Sequence, residues 1–321
     1  MELGPGTVEG MGVNPILVTG ASGFVGSHLV RSLVRQGVDV VSLFHKNRIE
    51  QDKRHFRIDL RDGVALEKLF RQFRFSAVIH LAAAGVETEA ETLENVAAVN
   101  VLATASLARL AMAHGVERFV HVGTGFEYRP QAQPMDESTP LGAPNLYGAS
   151  KAAGWMLLDA LYRLEGLPLV TFRPFSIYGP GESAAKLVPY TILQAQAGEP
   201  IRLTLGSQVR DYVFVEDVVD ALRLGLTAQA AVGKVYNIGT GPAEARSVRR
   251  MVEEIVEMMG APARLCWFDR ATRGRCDPPF LVSDPTRAHV ELGWRPRVSL
   301  ADGLARTIES YKAAGVKELS A

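Results

Sequence analysis

The sequence carries no net charge that would attract a partner of opposite sign. Its 321 residues include 35 Lys and Arg and 35 Asp and Glu, so the formal net charge is zero. Proteins that bind nucleic acid or anionic membranes usually carry an excess of positive charge, which this sequence lacks. We therefore expect no nucleic-acid partner, although a few local arginines could still bind a small anion.

Cysteine is scarce. Only Cys266 and Cys276 occur, and their spacing fits neither a zinc site nor a redox CxxC pair. We expect no metal site and two reduced thiols, as is usual in the cytosol.

Long apolar runs are also missing from the sequence. No stretch offers the roughly 20 consecutive apolar residues that a membrane-spanning helix needs, so we expect no membrane partner. Residues 1–14 are Gly-rich and acidic and lack the apolar segment of a signal peptide, which indicates a flexible N-terminal extension. Together these absences predict a cytoplasmic protein.

What the sequence does contain is a regular alternation of short apolar strands with longer helical patterns. Such strands between helices indicate a doubly wound α/β fold, with a parallel sheet covered on both faces. The predicted strands of this part are 16–19, 38–44, 56–59, 77–81, 118–122 and 169–173, and the predicted helices are 24–36, 64–73, 92–114 and 146–164.

The alternation breaks near residue 180. Here we predict strands at 201–205, 209–214 and 235–238 and helices at 187–197, 248–259, 285–292 and 300–312. We therefore divide the chain into a dinucleotide-binding domain, 15–180, and a smaller α/β substrate-binding lobe, 181–321. We expect segments to cross back between them.

A glycine-rich loop joins the first predicted strand to the first helix. Gly20 permits a tight turn, Gly23 lets the backbone approach a pyrophosphate, and Gly26 lets the helix pack close to the sheet. The free N–H groups at the helix start then bind the phosphates. The alternative is a glycine-rich turn that binds no ligand.

The spacing G-x-x-G-x-x-G resembles the extended branch of the short-chain dehydrogenase/reductase family. This resemblance implies a Rossmann-type sheet that binds NAD or NADP. In it Asp59 and Leu60 would contact the adenine, and the segment after the fourth strand would pass beneath the cofactor. The implied cofactor contacts are Gly20, Ser22, Gly23, Phe24, Val25, Gly26, Asp59, Leu60, Leu81, Ala82, Ala83, Tyr147, Lys151, Pro174 and Ser176.

The end of the second strand bears on the choice between the two cofactors. An acidic residue there would receive the ribose 2′-hydroxyl of NAD, whereas basic residues accommodate the 2′-phosphate of NADP. The sequence has His45, Lys46 and Arg48 at this place, and Asp39 comes too early. We therefore prefer NADP over NAD, with a solvated basic turn as the alternative.

Tyr147 and Lys151 form a Tyr-x-x-x-Lys spacing, which places both side chains on one face of a helix. Hydride transfer at a carbinol or ketone needs a group that takes or gives a proton. A free phenol has a pKa of about 10, and a nearby ammonium should lower it. The resemblance implies that Thr124 completes this catalytic set. We interpret His121 as a packed core residue.

Two departures from the family pattern follow Thr124. The family's Val-Tyr-Gly is here Glu127-Tyr128-Arg129. The nucleotide-sugar 4,6-dehydratases have an Asp-Glu pair directly after the Thr, where this chain has Gly125-Phe126. Because a dehydratase needs that acid and base to eliminate water, the sequence disfavours this subclass.

The second half resembles the substrate lobe of nucleotide-sugar enzymes. Residues 206–217 resemble their Arg-Asp-(Phe/Tyr) signature, in which the Arg meets the diphosphate; guanidinium suits it because it binds in bidentate fashion and stays charged. A salt bridge from Arg210 to Asp211 or Asp217 is the alternative, and Asp217 is predicted to cap the next helix. The implied substrate contacts are Thr124, Phe126, Glu127, Ser176, Lys186, Arg210 and Arg275.

Three functions remain open at this point. The preferred one is an NADPH-dependent 4-ketoreductase of a nucleotide-linked 4-keto-6-deoxysugar, and the alternative is an NAD-dependent 4-epimerase of a nucleotide-linked sugar. A non-catalytic NADP-binding regulator is disfavoured because Tyr147, Lys151 and Thr124 are all present. The resemblance also implies a homodimer, joined by a four-helix bundle that the helices 92–114 and 146–164 form with their counterparts.

Overall fold

The computed structural model describes residues 14–44, 54–86, 92–269 and 277–314. The strands are β1 Ile16–Thr19, β2 Val40–Phe44, β3 His55–Arg57, β4 Ala77–His80, β5 Arg118–Val122, β6 Leu169–Pro174, β7 Ser176–Tyr178, β8 Ile201–Leu203, β9 Val209–Arg210, β10 Tyr212–Phe214, β11 Val235–Ile238, β12 Arg246–Ser247, β13 Cys266–Phe268 and β14 Phe280–Leu281. The α-helices are α1 Phe24–Arg35, α2 Gly63–Gln72, α3 Leu93–Val96, α4 Thr104–Ala113, α5 Leu146–Glu165, α6 Leu187–Ala197, α7 Val215–Thr227, α8 Val248–Met258, α9 Thr286–Leu292 and α10 Leu300–Ala314.

The main sheet has seven parallel strands in the order β11-β6-β5-β4-β1-β2-β3. Successive side chains of a strand point to opposite faces, so Ile16 and Val18 enter one apolar core and Leu17 enters the other. The first core is closed by α1 and α7, and the second by α2, α4 and α5. The doubly wound fold predicted from the sequence is confirmed.

The second half of the chain supplies both a small lobe and one strand of the main sheet. Strand β11 runs parallel to β6, with Val235 opposite Thr171. The remaining strands form three small sheets, β10-β7, β12-β9-β14 and β13-β8. Helices α6, α8 and α10 pack together beside them around a third apolar core. The division at residue 180 stays a prediction.

The expectation that no segment is long and apolar enough to cross a membrane is wrong for one helix. Leu93–Ala113, which consists of α3, a π-helical segment Ala97–Ala103 and α4, is 21 residues long and meets that criterion by length and composition. Core helices of globular proteins also meet it. In the structure this helix buries Asn100, Thr104 and Leu107 against the rest of the domain.

Two other local predictions differ from the structure. The strand expected at 209–214 is two strands, because Asp211 between them turns its carboxylate to donors from other segments. Asp217 does not cap α7; it lies within the first turn, and its carboxylate accepts the N–H groups of Arg297 and Val298 at 2.9 and 3.2 Å.

Candidate active site

The glycine loop between β1 and α1 has a geometry that only glycine allows at two positions. Gly20 has a φ of +66°, in the left-handed region. A Cβ on Gly26 would lie 2.1 Å from the carbonyl oxygen of Gly20, so α1 reaches the sheet only because Gly26 has no side chain. Gly23 is the N-cap of α1 and makes no side-chain capping bond. The first-turn N–H groups are thus open to an anion such as a pyrophosphate.

The other expected cofactor contacts surround this loop. Leu81, Ala82 and Ala83 follow β4 and are partly exposed. The backbone N–H of Ala82 donates to the Thr19 hydroxyl at 3.3 Å, which ties this segment to the end of β1. The N–H donors at the start of α1 have no side-chain cap, and the two glycines of the β1–α1 loop add no side chains there. These residues therefore fit a dinucleotide.

Two further residues expected to contact adenine lie after β3. The carboxylate of Asp59 is engaged by the Arg61 guanidinium, at 2.6 and 3.0 Å, and Leu60 is nearly buried. His45, Lys46, Arg48 and Arg275 lie outside the described residues, so their contacts stay predictions.

Helix α5 presents the Tyr147–Lys151 pair. It begins after Asn145, whose side chain accepts the N–H of Gly148 at 2.8 Å and so caps the helix. Lys151 is almost fully buried, and burial lowers the pKa of its ammonium to about 8 although Glu127 opposes the shift.

Tyr147 differs from its expected state. Burial and the nearby Glu127 carboxylate raise the pKa of the phenol, and the hydrogen bond from Thr124 only partly opposes them. The lowered pKa that we expected for the phenol is not found, because desolvation and the Glu127 charge set the direction of the shift. The same hydrogen bond brings the Thr124 and Tyr147 hydroxyls together.

The expected substrate residues are distributed over two regions. Ser176 and Phe126 lie near the end of β6, where Phe126 packs against the cluster around Tyr128 and the N–H of Ser176 donates to the Asp211 carbonyl at 3.0 Å. Lys186 precedes α6 and donates to the Val86 carbonyl at 2.7 Å.

Arg210 is largely buried at the end of β9. Its guanidinium pairs with Asp277 and donates to the Val209 carbonyl at 2.8 Å. The ion pair that the sequence allowed with Asp211 or Asp217 is thus made with Asp277, because the Asp211 carboxylate faces Thr240 and Ser283. Within the described residues no group of His, Cys, Asp and Glu could hold a metal ion.

Comparison with known families settles the class of this site. Residues 16–239 match the NAD dependent epimerase/dehydratase family. The chain belongs to this family. Its members include the extended short-chain dehydrogenases that act on nucleotide sugars, and the chain is an enzyme of that group.

Relatives of this epimerase/dehydratase chain include enzymes of two different activities. It is 34% identical to a UDP-glucose 4-epimerase of Mycolicibacterium smegmatis, over 92% of this chain and 98% of that one. It is 31% identical to a dTDP-glucose 4,6-dehydratase of Haemophilus influenzae, over 92% and 97% of the two chains.

Solved structures of the family superpose closely on the fold. The UDP-glucose 4-epimerase of Thermotoga maritima, solved with UDP-glucose, has a TM-score of 0.87 at 27% identity and covers 94% of this chain and 99% of its own. The UDP-glucose 4-epimerase of Thermus thermophilus, solved with NAD, has a TM-score of 0.84 at 30% identity and covers 94% and 100%.

The substitution of Glu127 for the family's Val changes the interior of the site. We expected Glu127 to contact substrate, but its side chain is fully buried and both oxygens are engaged, one by the Thr124 N–H at 2.9 Å and one by Arg173 Nε at 2.6 Å. The carboxylate therefore does not face the substrate opening, and the expected contact is corrected.

Sequence reasoning missed Asn100 in the π-helical segment. Its amide donates to Ser150 Oγ at 2.8 Å and to the Ala84 carbonyl at 2.9 Å, and its side-chain oxygen accepts the Ala84 N–H at 2.8 Å. Asn100 thus ties the strand-four segment to α5. Gly154 permits this approach, since a Cβ there would lie 2.2 Å from the Asn100 carbonyl oxygen.

His121 was interpreted as a packed core residue, and its contact with Lys151 was missed. The ring is fully buried, and its Nε2 lies 3.3 Å from Lys151 Nζ. The ring of His80 stacks beside it, with centroids 6.2 Å apart. No spacing in the sequence indicates this contact, because β5 and α5 are brought together only by the fold.

Proposed function

We propose that this protein is a 4-ketoreductase that reduces the C4 ketone of a nucleotide-linked 4-keto-6-deoxyhexose. The observation that carries the proposal is the Tyr147 phenol, which is hydrogen-bonded to Thr124 and whose protonated form is favoured by burial and by the Glu127 carboxylate. A protonated phenol is the donor that a ketone needs as it becomes an alcohol.

Tyr147, Thr124 and Lys151 each have a separate part in this reduction. A reduced nicotinamide bound above the glycine loop would supply the hydride that C4 accepts. Tyr147 donates its hydroxyl proton to the C4 oxygen, and Thr124 hydrogen-bonds the same oxygen as negative charge develops on it. Lys151, one helical turn further along α5, supplies positive charge beside the phenolate that is left and holds the ribose of the cofactor. Ketone, hydride and proton together give the secondary alcohol.

A dehydratase is less well supported, although several relatives have that activity. Water elimination needs an acid and a base beside Thr124, where this chain has Gly125 and Phe126. The neighbouring carboxylate, that of Glu127, is buried and already bound at both oxygens.

A 4-epimerase is the second candidate, and the 34% identical UDP-glucose 4-epimerase favours it. In that reaction Tyr147 must first remove the proton of the C4 hydroxyl and later return it. The raised pKa of its phenol opposes the first of these steps.

For the cofactor we propose NADP, with NAD as the alternative. Lys46 and Arg48 support NADP because they follow β2 in the sequence, and basic residues after this strand accommodate a 2′-phosphate. The solved relatives with a bound dinucleotide contain NAD, which supports the alternative.

For the substrate we propose that Arg210, Arg275 and Lys186 bind the diphosphate, and that Ser176 and Phe126 line the sugar. Arg210 offers a largely buried guanidinium whose partner Asp277 is a half-exposed carboxylate, which a doubly charged diphosphate could replace.

We also propose a homodimer, as the sequence implied. The helices Leu93–Ala113 and α5 leave large apolar side chains exposed, and a partner's equivalent helices in a four-helix bundle would cover them. The exposed set is Leu93, Leu102, Leu146, Met156, Leu157 and Leu164. The cytoplasmic location stays a prediction.

The deciding experiment incubates the purified protein with dTDP-4-keto-6-deoxyglucose, or its other nucleotide forms, and NADPH or NADH. Oxidation of the nicotinamide, together with formation of a 6-deoxysugar alcohol, supports the reductase. Interconversion of UDP-glucose and UDP-galactose without added reductant, and no oxidation with any ketosugar, would replace it with the epimerase.

A further inference from the structure

Phe126 and the apolar side chains behind it form a wall next to Thr124. Phe126 is the middle residue of the turn Gly125–Glu127, a single turn of 3-10 helix that directly follows Thr124. Its ring packs against a cluster of buried apolar side chains and is itself partly exposed. We call Phe126 and this cluster the apolar wall; the cluster consists of Tyr128, Met135, Phe175 and Leu281.

Backbone contacts fix Phe126 beside both hydroxyls of the site. Its N–H donates to the Thr124 side-chain oxygen at 3.3 Å. Its carbonyl packs on α5 at Gly148, the residue after Tyr147, where an added Cβ would lie 2.2 Å from the carbonyl oxygen. The turn approaches α5 this closely only because Gly148 has no side chain. Phe126 is therefore held next to Thr124 on one side and next to Tyr147 on the other.

The space beside Phe126 is already filled by another aromatic ring. A Cβ on Gly125 would lie 3.0 Å from two carbons of the Phe175 ring, which is buried. The ring thus takes the space that a side chain at position 125 would need. The apolar wall consequently extends from position 126 across position 125.

The turn has no side-chain polar atom left for a sugar hydroxyl. The structure describes this turn throughout; Gly125 and Phe126 have no such atom, and both oxygens of Glu127 are engaged, by the Thr124 N–H and by Arg173. A hydroxyl placed against the apolar wall would lose its water without gaining a partner, which is unfavourable. A methyl group in the same place would be stabilised by burial.

The substituents of the sugar decide which of its atoms suits the apolar wall. In the proposed reaction C4 lies at Thr124 and Tyr147, so the groups nearest to Phe126 are those on C3 and C5. C3 carries a hydroxyl. C5 carries C6, which is a methyl in a 6-deoxyhexose and a hydroxymethyl in an ordinary hexose. Among these groups the C6 methyl is the apolar one, and it is the one that such a wall stabilises.

We propose that Phe126 is a specificity-determining residue: its ring receives C6 of the hexose, and the site therefore selects a sugar with a C6 methyl over one with a C6 hydroxyl. This inference rests on the proposed function, which places C4 at Thr124 and Tyr147. Two effects act in the same direction, because the methyl gains from burial and the hydroxyl loses its hydration.

Binding of unreactive ligands measures this preference without turnover. A nucleotide sugar with a C4 alcohol and NADPH are both reduced, so together they form a complex that does not react. Calorimetric titration of the NADPH-loaded protein with dTDP-6-deoxyglucose and with dTDP-glucose compares two ligands that differ only in the C6 oxygen. We expect the 6-deoxy ligand to bind about tenfold to a hundredfold more tightly. The same titration with the two UDP sugars covers a preference for uridine.

Substitutions at position 126 assign the preference to the ring. Phe126→Thr replaces the ring with a small side chain that can bind a C6 hydroxyl, and Phe126→His keeps a ring but makes it polar. Each should bring the two affinities to within about threefold of each other. Phe126→Leu keeps the wall apolar and should retain most of the preference. Thermal unfolding shows which of the variants are folded.

Phe73→Thr is the matched control. Phe73 is also a partly exposed phenylalanine that contacts other aromatic rings, those of Phe56 and Phe75, at centroid distances of 5.6 and 5.9 Å. It packs against the second apolar core of the main sheet rather than the apolar wall. This variant should lose stability and keep the wild-type ratio of the two affinities.

The outcomes separate this inference from the proposed function. Equal affinities of the wild type for the two ligands would overturn the inference, even if the protein reduces dTDP-4-keto-6-deoxyglucose. Full preference in a folded Phe126→Thr or Phe126→His protein would overturn the role of the ring. A preference for the 6-deoxy ligand in a protein that reduces no ketosugar would count against the proposed function alone. Binding of neither pair of ligands would count against both.

Discussion

Lys151 Nζ lies 3.3 Å from Nε2 of His121, and both groups are buried. An ammonium can only donate, so the imidazole must accept through Nε2 and carry its hydrogen on Nδ1. Burial and the charges of Lys151, His80 and Arg173 all lower the pKa of His121, which keeps the ring neutral and able to accept.

We predict that His121→Leu weakens catalysis. Lys151 would lose a buried hydrogen bond to a charged group, a loss of about 1.5–3 kcal/mol. If most of this free energy is lost from the stabilisation of the transition state, kcat falls roughly tenfold to a hundredfold. His121→Gln, which can offer an amide oxygen, should recover part of the rate. Wild-type kcat in a folded His121→Leu protein would show that the contact is only structural.

The two buried histidines should make stability depend on pH. Burial lowers the pKa of His80 to about 3, from an ordinary value of about 6.5, so the unfolded chain binds the extra proton between these values. Stability is therefore kept above pH 6.5 and falls below it, by about 1.4 kcal/mol per pH unit for each such histidine.

Urea unfolding at pH 8 and pH 5 tests this dependence. His121→Leu should lose about 2 kcal/mol less than wild type between the two pH values. The difference at pH 8 reports the lost packing together with the lost hydrogen bond to Lys151. An equal loss in both proteins would mean that His121 does not resist protonation.

Tyr147→Phe should abolish turnover without unfolding the protein. In the proposed reaction the hydroxyl is the proton donor, so kcat should fall by about 10²–10⁴ while the melting temperature and cofactor affinity change little. Tyr162→Phe, on the same helix α5, is the control and should keep its activity. A Tyr147→Phe protein that retains full biological function would point to a regulator.

Gly26→Ala should disrupt cofactor binding. The added Cβ would meet the Gly20 carbonyl oxygen at 2.1 Å, so α1 must move away from the loop. We expect the dinucleotide affinity to fall at least about tenfold, as measured by nicotinamide fluorescence, because the N–H groups no longer converge. Gly63→Ala, with no atom within 4 Å of its added Cβ, should bind normally.

Arg210→Gln should weaken substrate binding more than chemistry. Loss of the charged donor should raise KM for the nucleotide sugar about tenfold to a hundredfold, with kcat changed only a few-fold. Arg306→Gln, from the exposed pair with Glu216, should leave KM unchanged. An equal effect of the two substitutions would remove Arg210 from the diphosphate site.

The sequence predicts the main sheet well because its signals are local. Strand β1, the glycine loop and α1 follow one another directly, and most predicted boundaries lie within two residues of those in the structure. The break at Asp211 was not predictable in the same way. Its carboxylate is bound by Thr240 and Ser283, which are distant in sequence.

The site was predicted in part for the same reason. Tyr147 and Lys151 follow from one helical spacing, and Thr124 from its place after β5. Glu127 contacts Arg173 of β6, and His121 contacts Lys151 of α5. No local sequence pattern indicates either contact.

Strand β11 belongs to the second half of the chain, yet it completes the main sheet by pairing with β6, with Asn237 opposite Arg173. During synthesis the outer edge of β6 therefore stays unpaired until residue 238 has left the ribosome, and an unpaired edge invites aggregation. A fragment that stops at 180 would keep this edge open permanently. A dinucleotide half made alone would lack the strand that completes its sheet, so its maturation depends on the half that follows it.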